Sequence, residues 1–182
     1  MQKYSRHSRL FASIFAIAIL VLITVPIATH RTKAIGNSQS NTATELSIYA
    51  DTLMAGWLNW SWDSTVNFDA KTAPQSGSAA LAVTYKRPWA GLFLRALNPI
   101  DTASYATLRF WIHGGTTGHQ RVLITSRDQQ GNSSPQLSIQ APAPGTWALV
   151  EIPLKNLGNP RTIMDLFWQD GTGATQPTLY LD

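Results

Sequence analysis

The chain has 182 residues, no cysteine, 14 Lys+Arg and 10 Asp+Glu. That length fits one domain, and the missing thiols exclude disulfides, cysteine-bound zinc and thiol catalysis. Lys3, Arg6, Arg9, Arg31 and Lys33 fall in the first 34 residues with no acid among them, so nine basic and ten acidic side chains remain after them. The formal net charge of +4 therefore belongs to the leader, and no nucleic-acid partner is expected of the rest.

The first element is an apolar run over residues 10–28, broken by Ser13, Thr24 and Pro26 and preceded by the basic cluster. A positive stretch, an apolar stretch and then small residues form the pattern of a secretory signal peptide. Thr32 and Ala34 sit where a cut ahead of Ile35 would need them. The run is also just long enough to span a bilayer core of roughly 30 Å, so residues 1–34 read either as a cleaved signal peptide or as a membrane anchor. On both readings the remainder is secreted or extracellular, with membrane contact only through this segment. Residues 35–44 are small and polar and read as a flexible spacer.

From residue 45 to 182 the pattern becomes short β-type runs separated by Gly, Pro, Asn, Asp and Ser. Residues 78–85 alternate, with Ala79, Leu81, Val83 and Tyr85 on one side. Residues 107–113 set Leu108, Phe110 and Ile112 against Arg109, Trp111 and His113. Residues 121–126 and 147–154 repeat the two-residue period, which is the pleat of a half-buried strand. Pro153 lacks the N–H a central strand would use, so an edge or strand end is expected there. The segments His113-Gly-Gly-Thr-Thr-Gly and Asp170-Gly-Thr-Gly carry turn chemistry. An all-β domain is predicted: a two-sheet antiparallel β-sandwich.

The motifs Ile48-Tyr-Ala-Asp51, Trp57-Leu-Asn-Trp-Ser-Trp-Asp63, Leu108-Arg-Phe-Trp-Ile-His-Gly114, Gly145-Thr-Trp-Ala-Leu-Val-Glu-Ile-Pro-Leu154 and Leu179-Tyr-Leu-Asp182 resemble exported bacterial jelly-roll domains of the galactose-binding-like class. That class includes many non-catalytic carbohydrate-binding modules attached to glycoside hydrolases. The resemblance implies a jelly roll, a carbohydrate ligand and a structural calcium ion. For calcium the candidates are Asp51 and Asp182, brought together if the first and last strands pair; the ion wants six to eight oxygens.

Seven tryptophans are many for one domain of this size. An indole offers a flat apolar surface to the C–H face of a pyranose. Trp60 and Trp62, two residues apart, project from one side of a strand, with Trp57 just before them, and Trp89 lies in a Pro-Trp-Ala-Gly turn. Trp111 shares a strand face with Arg109 and His113, pairing an aromatic with hydrogen-bond donors as a sugar site requires, and Arg95 on a neighbouring strand extends it. The candidate ligand-binding residues are therefore Trp57, Trp60, Trp62, Trp89, Arg95, Arg109, Trp111 and His113. Trp147 reads as structural, and Trp168 is left open between core and ligand platform.

Catalysis has little support. After the leader there are two glutamates, Glu45 and Glu151, and neither a Gly-x-Ser-x-Gly nor a His-Glu-x-x-His motif. A glycosidase needs two carboxyls roughly 5–10 Å apart. The expected function is non-catalytic carbohydrate binding. An adhesive surface domain whose aromatics meet protein is the alternative, and a hydrolase with a shallow site the third reading.

Overall fold

The computed structural model describes residues 45–72 and 74–182; the leader and spacer read above lie outside the described residues. In chain order the strands are β1 (Tyr49–Ala50), β2 (Thr52–Leu53), β3 (Trp57–Asn59), β4 (Ser64–Ala70), β5 (Ala80–Tyr85) and β6 (Gly91–Asp101). They continue as β7 (Thr107–His113), β8 (Arg121–Arg127), β9 (Leu137–Gln140), β10 (Trp147–Pro153), β11 (Thr162–Asp170) and β12 (Gln176–Leu181). One 3₁₀ turn, Leu154–Leu157, follows β10.

Two five-stranded antiparallel sheets form: sheet I with the order β10-β7-β12-β5-β4, and sheet II with the order β3-β6-β11-β8-β9. The alternation read from the sequence explains what fills the space between them. Leu81, Val83, Tyr85, Phe110, Ile112, Ile152, Leu179 and Leu181 of sheet I join Leu92, Leu94, Ala96, Val122, Ile124, Leu166 and Trp168 of sheet II in one buried cluster. The Tyr85 hydroxyl donates to the Trp168 carbonyl at 3.0 Å across that core, and Phe110 meets the Trp168 ring edge-on at 5.5 Å. Trp168 is therefore core. The two-sheet β-sandwich expected from the sequence is the fold observed. Pro153 ends the edge strand β10, where its missing N–H leaves no ladder bond unmade.

The pairing that was to bring Asp51 and Asp182 together does not occur. β1 pairs only with β2, in a short hairpin, while β12 lies between β5 and β7 in the middle of sheet I.

Candidate functional site: an aromatic platform on sheet II

Strand alternation sends every second residue of sheet II outward, and the register aligns these residues into rows across the strands. One row runs Trp60, Phe93, Phe167, Thr125: Trp60 N–H donates to the Phe93 carbonyl, and Phe167 pairs with both Phe93 and Thr125. A second row, one pleat along, runs Leu58, Arg95, Asp165, Arg127. A third holds Trp62, Gly91, Gln169 and Leu123. With strands about 4.8 Å apart, each row spans roughly 14 Å.

The aromatic rings form one interlocked group. Phe93 and Phe167 stack at 4.4 Å, Trp60 meets Phe93 edge-on at 5.7 Å, and Trp62 meets Phe167 at 6.2 Å. Phe93 is buried beneath its neighbours, whereas Trp60 is 52% exposed. The surface offered to a ligand is thus Trp60, Trp62 and Phe167, with Phe93 as their support. Beside them a cleft of about 440 Å³ is lined by Trp62, Phe167, Gln169, Thr125, Ser133, Ser134 and Gln136, supplying hydroxyl and amide groups next to apolar rings.

The charged row is tied to the aromatic one. Asp165 is buried, and its Oδ1 accepts from Arg95 Nη1 at 3.0 Å while its Oδ2 accepts from Arg127 Nε at 2.6 Å. Arg95 lies over the Trp60 ring at 4.8 Å, and Arg127 over Phe167 at 5.2 Å. Each guanidinium is held between a carboxylate and a π face, which fixes the direction of its remaining N–H groups.

Trp62 is set by a different device. Its Nε1–H donates to the Trp89 carbonyl at 3.0 Å, which also accepts from Gln169 Nε2 at 3.0 Å. Trp89 has a φ of 64°, costly for a bulky side chain. Its N–H donates at 2.9 Å to the buried Asp170 carboxylate, which also accepts from Thr172 Oγ1, the amides of Thr172, Gly173 and Ala174, and Gln176 Nε2. Burial alone would raise the Asp170 carboxyl; the bonds from Thr172 Oγ1 and from the Trp89, Thr172 and Gly173 amides outweigh it and hold the group below its ordinary 3.8. The six-membered ring of Trp62 lies over Gly91, where any Cβ would land on it.

The structure divides the residues singled out in the sequence. Trp60, Trp62 and Arg95 share the platform, and Trp89, 54% exposed, stands beside it. Trp57 is corrected: it is 8% exposed and belongs to the core, because it pairs with the inward-facing Ala96. Arg109, Trp111 and His113 lie on sheet I, the other side of the sandwich, and do not extend the Arg95 face. There Arg109 pairs with Glu45 at 3.1 Å. His113 is buried, its Nδ1 accepting from the Gly115 amide, with Trp147 and Tyr180 packed against its ring. Phe93, Phe167, Thr125, Arg127, Asp165 and Gln169 were not anticipated; the alternation Leu92-Phe93-Leu94-Arg95 and Asp165-Leu-Phe-Trp-Gln169 carried the signal.

Asp51 and Asp182 do converge, though not through paired strands. Asp51 Oδ1 accepts from the Ser78 and Ala79 amides, and Asp182 Oδ2 from the Gln75 and Ser76 amides. Both carboxylates thus clamp the loop before β5 with N–H groups aimed at them. Among the described residues no three His, Cys, Asp or Glu side chains gather as a metal site. The polar partners at both carboxylates are hydrogen-bond donors of this loop, whereas a bound calcium ion would draw on six to eight oxygens.

Comparison with known proteins accords with this geometry. A family model described as carbohydrate binding domain 30 (CBM30) matches residues 45–176. An endoglucanase of Dictyostelium discoideum is 25% identical over 142 residues, 75% of this chain and 20% of that protein. This chain therefore spans about a fifth of that relative's length. Among solved structures, the family 30 carbohydrate-binding module of a cellulosomal cellulase of Clostridium thermocellum has a TM-score of 0.55 at 16% identity, over 68% of this chain and 87% of that one. A variant of the CBM29-2 module in complex with cellulohexaose has a TM-score of 0.51 at 14% identity, over 73% and 81%. These likenesses show a shared fold. Since the family model spans nearly the whole sandwich, the chain belongs to the carbohydrate binding domain 30 family.

Proposed function

We propose that this carbohydrate-binding module holds an extended glucan chain across the outer face of sheet II, without cleaving it, in an extracellular setting reached through the leader of residues 1–34. One observation carries the reading: the row Trp60, Phe93, Phe167 is flanked along its length by Arg95, Asp165 and Arg127. Pyranose C–H faces stack on the rings while the guanidinium forks donate to hydroxyls at the sugar's edge. The names of the relatives, an endoglucanase and a module bound to cellulohexaose, favour glucan over other sugars.

The chemistry at the centre of the face favours binding over hydrolysis. Glycoside cleavage uses two carboxyls, one of which moves a proton to the leaving oxygen. Asp165 has each oxygen engaged by a guanidinium, which removes it from that role.

Titration calorimetry with cello-oligosaccharides and mixed-linkage β-glucan tests the reading, with tryptophan fluorescence alongside. Binding that is lost in Trp60→Ala and Phe167→Ala is expected. Binding that survives both but is lost in Trp111→Ala would move the site to sheet I and overturn the proposal.

A further inference from the structure

Charge on the domain is unevenly placed. After the leader, acidic and basic residues nearly balance, and most of the arginines are paired with an acid: Arg87 with Asp63, Arg109 with Glu45, and Arg95 and Arg127 with Asp165. On the outer face of sheet II, Arg95 and Arg127 share the single carboxylate of Asp165, leaving one positive charge uncompensated. Arg121 stands at an outward position of the same strand as Arg127, packs over Gly171, and forms no salt bridge among the described residues. It lies six residues, roughly 20 Å, from Arg127 along the strand, so along β8 the aromatic rows that end at Thr125 and Leu123 have a cation on either flank. Near Trp62, Arg87 and Asp63 approach to 3.9 Å and offset each other. The acids gather elsewhere: burial, then Asp182, Asp51 and Asp69, push the Tyr49 phenol up to about 12.

The uncompensated charge is held in a directed form. Arg95 spends Nη1 on Asp165, and Arg127 spends Nε and Nη2. Among the described residues, Arg95 Nε and Nη2 and Arg127 Nη1 have no hydrogen-bond partner, which leaves their N–H groups for an incoming acceptor. Both guanidiniums lie against aromatic rings, which limits their hydration, and their side chains are 28% and 33% exposed. A hydroxyl satisfies such a donor but leaves the charge; a carboxylate satisfies both, with charge-assisted bonds about twice as strong as neutral ones.

We propose that the platform is an acidic-glycan site, taking a pyranose chain that bears carboxylates more tightly than the same chain without them. This rests on the reading of sheet II as the glycan-binding face and names the chemistry of its preferred ligand. Arg127 and Arg95 are the specificity-determining residues, and Asp165 holds their forks toward the ligand.

The test compares carboxymethylcellulose with hydroxyethylcellulose of matched length, by calorimetry on the full chain from low to high sodium chloride. Carboxymethylcellulose is expected to bind about tenfold tighter at low salt, as one charged contact supplies. That advantage should shrink as salt rises, while hydroxyethylcellulose binding stays flat. Arg127→Gln removes most of the advantage, and Arg127→Lys, which keeps the charge without the fork, retains the salt dependence but loses part of the carboxylate advantage. Equal affinity for the two polymers at every salt concentration overturns the proposal. So does an advantage that survives Arg95→Gln and Arg127→Gln together, since the leader's cations would then be its source. Binding of neither polymer overturns the glycan-face reading as well, whereas hydroxyethylcellulose binding without a carboxylate preference overturns this inference alone.

Discussion

The indole N–H of Trp62 donates to the backbone carbonyl of Trp89, 27 residues further along the chain, at 3.0 Å. Through its own amide the same residue, Trp89, reaches the buried Asp170 carboxylate at 2.9 Å. A ring on the ligand face is thus oriented by an acid beneath it, by way of a tryptophan whose own backbone is strained.

That relay makes Asp170→Asn informative. Asparagine keeps one acceptor oxygen and turns an amide toward N–H groups that lose their partner. The variant is expected to lose about 2–3 kcal/mol of stability, the worth of hydrogen bonds to a buried charge, and glucan affinity should fall as Trp62 loosens. Thermal unfolding and calorimetry together check it: an unchanged unfolding midpoint would show that the loop closes without the carboxylate.

The same group sets a pH dependence. The folded Asp170 carboxyl lies below its ordinary 3.8, so as pH falls the unfolded chain takes up its proton first. The stability Asp170 contributes is therefore complete above about 3.8 and lost as pH drops through the folded value. Urea midpoints measured from pH 6 to pH 3 should fall less steeply in Asp170→Asn than in the natural sequence. Parallel curves would remove Asp170 from the account.

Gly91→Ala separates platform geometry from fold. The added methyl occupies the space of the Trp62 ring, while the strand itself accepts alanine. Affinity is expected to drop about tenfold, with a change in Trp62 fluorescence, the loss of one aromatic contact being worth about 1–2 kcal/mol. Retained affinity would mean that Trp62 does not touch the ligand.

Trp57 and Trp60 lie three residues apart and should respond in opposite ways. Trp57→Ala opens a cavity in the core and is expected to cost about 3–5 kcal/mol of stability. Trp60→Ala removes an exposed ring, leaving stability within about 0.5 kcal/mol while weakening binding. Denaturant titration of both, beside calorimetry of Trp60→Ala, reads the contrast directly.

Much of the fold was legible because period-two alternation in residues 78–85, 107–113, 121–126 and 147–154 maps onto β5, β7, β8 and β10 almost residue for residue. The site was only half legible. Spacing placed Trp60 and Trp62 on one side together, but which side of a strand faces the core depends on partners far away in sequence. Trp57 has the same local surroundings as Trp60, and only its pairing with Ala96 turns it inward. Phe93 and Phe167 looked like ordinary strand residues because nothing local shows that the chain folds back over a separation of 74 positions to pair them. Arg109 and Trp111 were grouped with Arg95 on composition alone, and sheet membership separates them. Asp165 stood out from no motif; its meaning comes from two arginines on the strands either side.

Both sheets are completed from the middle. β11 enters between β6 and β8, and β12 between β5 and β7, in each case well after its two neighbours in the chain. As the chain emerges during synthesis, β6 waits without one partner and β7 and β5 remain in separate ribbons until these late strands arrive. The exposed strand edges of that interval are where such a chain associates wrongly. Non-local pairing of this kind belongs to the slow, millisecond-to-second class of folding. The ligand platform, whose centre is β11, exists only once that strand has been inserted.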